Sequence, residues 1–272
     1  MLFSAENERA LKNLVKQTKV FLLDMDGTVY IENELIGDMK NTLASIRSSG
    51  RRLVYFTNNS SKTVAEYEAK LKKLGIFGEG DFVYTSGTAT IEFLNEHYAG
   101  KRVYLVGTEG LKGEFTAGGV QISSADEAEV AVLAYDTTLT FEKLTEINRL
   151  IAEGKPYIAT HPDAVCPAKG AFPPDVGSFI QLLKCSSGRE PDIICGKPYT
   201  VMGDCIKRRL ALPASAIAMA GDRPHTDIRF GNNNGFHTLL VLSGETDAAL
   251  AERTPDRAEA VAQSLNDLVK YL

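Results

Sequence analysis

Cysteine is scarce in this sequence: Cys166, Cys185, Cys195 and Cys205 are the only four among 272 residues. None forms a C-x-x-C pair, and none stands at a zinc-finger spacing from a histidine or another cysteine. A disulfide framework and a structural zinc site are therefore not expected, and free thiols in a reducing cytosol are. Long apolar runs are missing as well. No stretch approaches the roughly 20 residues of a membrane span. The opening residues, MLFSAENERALKNLVKQTK, carry early acidic residues and no apolar signal core; they read as an amphipathic helix, so export is not expected and a cytoplasmic location is. Nor is there a basic excess. The formal net charge is −5, with both signs interspersed, which argues against nucleic acid as a partner. A small anionic substrate would have to be drawn by a local site or a bound cation.

What is present is ordinary for a globular chain: 44% hydrophobic and 24% charged residues, long enough that two domains are the natural expectation. Short apolar runs alternate with amphipathic stretches throughout, the pattern of an α/β protein with parallel sheets. Val20-Phe21-Leu22-Leu23 is apolar on successive residues, as a strand buried on both faces must be. A helix is expected from about Met39 to Ser49, a strand at Leu53–Phe56, and a helix from Val64 to Leu74 stopped by Gly75. After Gly78-Glu79-Gly80 a second series of strands follows, at Val103–Val106, Val130–Leu133 and Tyr157–Ala159, with helices near 86–97, 141–152 and 176–184. The polar stretch 186–192 closes that region. The first pattern then resumes with a helix near 200–210, a strand at Ile217–Ala220, a helix near 224–233 and a strand at Thr238–Val241.

Four segments carry chemistry, each set directly after a strand or before a helix. Asp24-Met25-Asp26-Gly27-Thr28 follows the first buried strand, so its two carboxylates point into the crevice where open α/β sheets bind ligands. Like charges that close oppose each other's ionisation, and a divalent cation removes that cost. One carboxylate can then attack phosphorus while the other handles the leaving-group proton. Thr57-Asn58-Asn59-Ser60 offers a hydroxyl and carboxamides, which bind phosphate oxygens without adding negative charge; Ser60 or Ser61 can also cap the helix that begins at Val64. Gly196-Lys197-Pro198 places a compact cation before a helix, either at the surface or on phosphate. Gly221-Asp222-Arg223-Pro224-His225-Thr226-Asp227 supplies two hard oxygen donors of the kind Mg²⁺ accepts. Asp227 also suits the first turn of a helix. A dinucleotide-binding module is the alternative function, prompted by Gly107, Gly110 and Gly113, although their spacing is not that of the G-x-G-x-x-G fingerprint.

Taken in this order, the four segments resemble the haloacid dehalogenase (HAD) superfamily over nearly the whole chain. The forms T-N-N-S, G-K-P and G-D-R-x-x-T-D-I are similar to its NagD-like, para-nitrophenylphosphatase branch. The resemblance implies a Rossmann-like parallel-sheet core formed by residues 1–80 and 191–272, with an inserted α/β cap at 81–190. It implies a Mg²⁺-dependent phosphatase for a small phosphorylated metabolite, working through an aspartyl-phosphate on Asp24 with Asp26 as general acid and base. Thr57 and Asn58 would hold the transferring phosphoryl group and Lys197 would neutralise it. The side chains of Asp24 and Asp222 and the backbone carbonyl of Asp26 would bind the metal, with Asp227 orienting them. Within the cap, Tyr135-Asp136-Thr137-Thr138 falls at the branch's substrate-facing loop, which makes Asp136 a candidate substrate contact. A homodimer through the cap is also implied. His161 stands where the branch usually has asparagine, and either a substrate contact or a structural role suits it. The identity of the metabolite is not readable from these residues.

Overall fold

The computed structural model describes residues 4–166 and 172–272. The expected N-terminal helix runs from Ala5 to Gln17 and is capped by Ser4, whose hydroxyl accepts the Asn7 N–H; Met1–Phe3 of the expected segment lie outside the described residues. The first strands in chain order are β1 (Val20–Leu23), β2 (Tyr30–Ile31), β3 (Glu34–Leu35), β4 (Arg52–Thr57), β5 (Phe82–Thr85), β6 (Arg102–Val106) and β7 (Gln121–Ile122). They are followed by β8 (Val130–Leu133), β9 (Tyr157–Ala159), β10 (Ile193–Ile194), β11 (Ile217–Gly221), β12 (His237–Val241) and β13 (Ala260–Ala262). Among the described residues they form two parallel sheets and one small hairpin, so the chain is α/β as the alternation of apolar runs implies.

The chain divides into two compact units: residues 1–57, 65–84 and 206–272 form one, and 58–64 with 85–205 the other. The first unit is built on a six-stranded sheet in the order β13-β12-β11-β1-β4-β5. β1 sits inside it, parallel to β4 on one side and β11 on the other, and all four of its residues are buried. That is why its sequence shows no polar alternation. β5, which falls in the segment read from the sequence as inserted, pairs at this sheet's edge. Its Tyr84 stacks on Phe56 of β4, with ring centroids 5.6 Å apart, so two aromatic side chains hold it there. At the far edge Asn7 mimics a backbone peptide: its amide donates to the Val261 carbonyl at 2.8 Å and its carbonyl accepts the Val261 N–H at 2.9 Å.

The second unit carries a five-stranded sheet, β10-β9-β8-β6-β7, parallel in all its pairings. Successive residues feed opposite faces. Tyr104, Ala131, Leu133 and Tyr157 pack in one apolar cluster, while Val103, Leu105, Val130, Val132 and Ile158 pack in another. Both faces are thus covered by helices, as continuous apolar strands demand. The helix at Glu109–Ala117 takes up Gly110 and Gly113, and the Thr108 hydroxyl accepts the Leu111 N–H at its start. This segment is an ordinary capped helix start rather than a dinucleotide turn. Among the described residues no helix is long and apolar enough to cross a membrane.

Candidate active site

In the first unit, strand register brings three of the nominated residues to one sheet edge. Leu23 is level with Tyr55 of β4 and with Ala220 of β11. Asp24 therefore emerges one residue past the pairing, and Thr57 and Asp222 two residues past it, at the carboxyl ends of three adjacent strands. This is where open parallel sheets bind ligands. Asp24, Thr57 and Asp222 are all buried. The chain then turns away at once: the Gly27 N–H donates to the Tyr30 carbonyl at 2.8 Å. Gly27 has φ +86°, a conformation other residues adopt only under strain. The side chain of Asp26, on this turn, is exposed.

Asp24, Asp222 and Asp227 each offer an oxygen within 4.8 Å of the others. Asp227 lies in a short π-helical turn, Pro224–Ile228, where its carboxylate accepts the Arg223 N–H at 3.1 Å; helix-start and cluster roles coexist in it. Burial, then the charge of Asp227, pushes the Asp222 carboxyl up to about 6, against the Glu245 N–H that favours its ionised form. Three buried carboxylates with hard oxygen donors fit a small divalent cation, which would offset that repulsion.

Glycine makes the room. A Cβ on Gly244 would lie 1.9 Å from Asp222 Oδ2, and one on Gly27 2.4 Å from it. The loop Ser243-Gly244-Glu245, which follows β12, was not singled out in the sequence, yet it closes this cluster. The Glu245 N–H donates to Asp222 Oδ2 at 2.8 Å, and the Ser243 hydroxyl to the Gly27 carbonyl at 2.7 Å. Its signal was small residues after the strand next to β11, visible only once strand order is known. Gly244→Ala should displace the Asp222 carboxylate, and for a cation held by this cluster the expected result is an affinity about 10- to 100-fold weaker, the usual effect of disturbing groups around metal ligands. Calorimetric Mg²⁺ titration of the variant checks this, and an unchanged affinity would separate Asp222 from the metal.

The remaining candidates lie in the second unit. Asn58 is buried, and its carboxamide is already engaged. Its oxygen accepts the Lys197 N–H at 2.8 Å, while its amide donates to the Lys197 carbonyl at 2.9 Å and to Asp163 Oδ1 at 3.1 Å. The side chain proposed to hold phosphate also clamps the backbone of Lys197, itself fully buried. Neither Ser60 nor Ser61 caps the helix at Val64, contrary to the sequence expectation. The Val64 N–H donates to Glu114 at 2.7 Å. Ser60 is turned inward, where its hydroxyl accepts the Tyr135 N–H at 3.0 Å, and Ser61 bonds to Asn59.

Asp136 is buried three residues past the end of β8. Its carboxylate accepts the N–H and hydroxyl of Thr138 at 2.8 and 2.6 Å and the ammonium of Lys143 at 2.7 Å. Burial raises its pKa, but the bonds from Lys143 and Thr138 outweigh burial and leave it below the usual carboxylate value. It does not cap the helix Phe141–Ala152; Thr140 does, accepting the Lys143 N–H. Asp136 thus shapes its own loop. His161 is also fully buried, with Nε2 3.0 Å from Asp175 Oδ1, which favours the structural role.

Residues 21–121 match the haloacid dehalogenase-like hydrolase family and 194–268 a second family described as HAD-hydrolase-like. An acid sugar phosphatase of Staphylococcus saprophyticus is 31% identical over 258 residues, covering 95% of this chain and 99% of its own. A 4-nitrophenylphosphatase from Thermotoga maritima superposes with a TM-score of 0.90 at 38% identity, covering 96% of this chain and 98% of its own. A glycerol phosphate phosphatase from Mycobacterium tuberculosis, solved in complex with magnesium, superposes with a TM-score of 0.87 at 29% identity, covering 94% of this chain and 78% of its own.

Proposed function

Because this chain belongs to the haloacid dehalogenase-like hydrolase family, as a phosphatase of its NagD-like, para-nitrophenylphosphatase branch, we propose that it hydrolyses small phosphomonoesters through an aspartyl-phosphate on Asp24, with Mg²⁺ as cofactor. The observation that carries the reading is the buried cluster of Asp24, Asp222 and Asp227 at the strand ends. A carboxylate gathered with two others is a poor place for a structural acid and a good one for a cation-assisted nucleophile.

A carboxylate oxygen of Asp24 attacks phosphorus, and the bond to the ester oxygen breaks. Asp26, exposed on the turn two residues on, gives its proton to the departing alkoxide. It then takes a proton from water as that water attacks the phosphoenzyme, releasing inorganic phosphate and restoring Asp24. Asp222 and Asp227 would complete the metal's protein ligands together with Asp24 and the Asp26 carbonyl. When bound, the cation neutralises charge on the phosphoryl oxygens. Thr57 donates to a phosphoryl oxygen, and Lys197 supplies a fixed positive charge. In this reading the inserted segment, residues 81–190, selects the leaving group, and the loop at Asp136 contributes through its shape. Sugar phosphates are the preferred substrate class, supported by the acid sugar phosphatase relative.

Asp26→Asn tests the division of labour. Hydrolysis of an alkyl phosphate should fall about 10²- to 10⁴-fold, the usual worth of a positioned proton donor. An aryl phosphate, whose leaving group departs without a proton, should lose far less in the first step. Steady-state and burst kinetics with 4-nitrophenyl phosphate and a sugar phosphate make the comparison; equal losses would remove Asp26 from the acid's role. Phosphate release from a panel of phosphorylated metabolites tests the substrate class.

A further inference from the structure

We propose that His161 is a positioning residue for Lys197, acting through a chain of buried hydrogen bonds. The inference rests on the assignment of Lys197 to the transferring phosphoryl group. All the contacts lie within the second unit. The Tyr135 N–H donates to Ser60 Oγ at 3.0 Å, and Ser60 Oγ is 3.1 Å from Thr160 Oγ1. Thr160 Oγ1 is 3.0 Å from His161 Nδ1, and His161 Nε2 is 3.0 Å from Asp175 Oδ1.

A peptide N–H can only donate, so Ser60 Oγ accepts from Tyr135, and an ionised carboxylate can only accept, so Nε2 donates to Asp175. The hydroxyls of Ser60 and Thr160 join these two ends through Nδ1. His161 is thereby held at both ring nitrogens. Its ring is anchored from the other side by Asp175, which also accepts the Val176 N–H at the start of the helix Val176–Ser187.

The chain's fixed end bears on Lys197 by two routes. The Gly196 N–H donates to the Thr160 carbonyl at 2.7 Å. A Cβ on Gly196 would lie 2.7 Å from that same carbonyl, 2.7 Å from Asn58 Oδ1 and 2.8 Å from His161 Cβ. The peptide before Lys197 is thus wedged between the histidine and the Asn58 clamp. Ser86, 3.4 Å from His161 Nδ1, donates to the Asn58 carbonyl and so holds the clamp's own backbone. A lysine ammonium rides on a flexible four-carbon stem, so its aim depends on how firmly its peptide is held. Displacements near 1 Å at such a group cost about 10²-fold in rate.

The test compares His161→Ala, His161→Asn, His161→Gln and Lys197→Ala by kcat and KM on 4-nitrophenyl phosphate with Mg²⁺, each read beside its thermal midpoint. Asparagine keeps a polar group where Nδ1 stands; glutamine keeps only the reach to Asp175. His161→Ala and His161→Gln should lose kcat about 10- to 100-fold while KM changes little, and His161→Asn should recover most of it, the signature of an interaction made chiefly in the transition state. Wild-type kcat in folded His161→Ala, or rescue by glutamine and not asparagine, would overturn the proposal and leave a purely structural histidine. Lys197→Ala separates the levels. If that variant kept full activity, the phosphoryl role of Lys197 would fall, and the inference with it. If it were inactive while the His161 variants matched wild type, only the inference would fall.

Discussion

Asp24→Asn is expected to reduce phosphate release by at least about 10⁴-fold, because the amide cannot form the phosphoenzyme and nothing else takes the nucleophile's part. The substitution is nearly isosteric, and its place at the end of β1 is fixed by backbone: the Asp24 N–H donates to the Ala220 carbonyl at 2.9 Å. Folding should survive it. Without metal the variant should melt no lower than wild type, since one of three carboxylates lying within 4.8 Å of one another loses its charge. Loss of activity with an unchanged or raised melting temperature is therefore the expected pair of results. Retained turnover would remove Asp24 from the nucleophile's position, and a collapse of the fold would mark it as structural.

Removal of divalent cations should have an effect of similar size. Asp222 is held up to about 6 by burial and by Asp227, so a cation bound beside it would favour its ionised form. EDTA should abolish hydrolysis and Mg²⁺ should restore it, whereas Ca²⁺, with its larger and looser shell, should support it poorly. A second readout is independent of turnover. Mg²⁺ at about 100 times its dissociation constant should add about 2.7 kcal/mol to folded-state stability, seen as a rise in melting temperature. Asp24→Asn and Asp222→Asn should each blunt that rise. Full activity after exhaustive chelation would sink the metal assignment.

Much of the fold was legible because buried parallel strands declare themselves: Val20–Leu23 and Val130–Leu133 are runs with no polar interruption. The strands that escaped notice are short or rich in small side chains, as β10 and Ala260-Val261-Ala262 are. β5 was obscured by the Gly78–Gly80 turn before it, which marked a break in pattern but not a change of sheet. At the site, Asp24, Asp222 and Asp227 could each be nominated from type and position. Their convergence could not, since it depends on β11 lying beside β1 although nearly 200 residues separate them. Asn58 shows a different limit. A carboxamide after a strand suits a phosphate and a peptide equally well by chemistry, and its grip on the Lys197 backbone is visible only once the fold places that residue beside it.

The pairing of Asn7 with Val261 has a consequence for how the molecule behaves among its own copies. A parallel sheet ends in a row of open peptide groups, and such a row can recruit a strand from another chain. Here the outermost strand is three residues long and meets a side-chain amide that copies a neighbouring peptide's donor and acceptor. The helix bearing that amide thus acts as a stopper on the sheet. Self-templated growth along this edge is blocked by geometry, with no reliance on net charge or on proline.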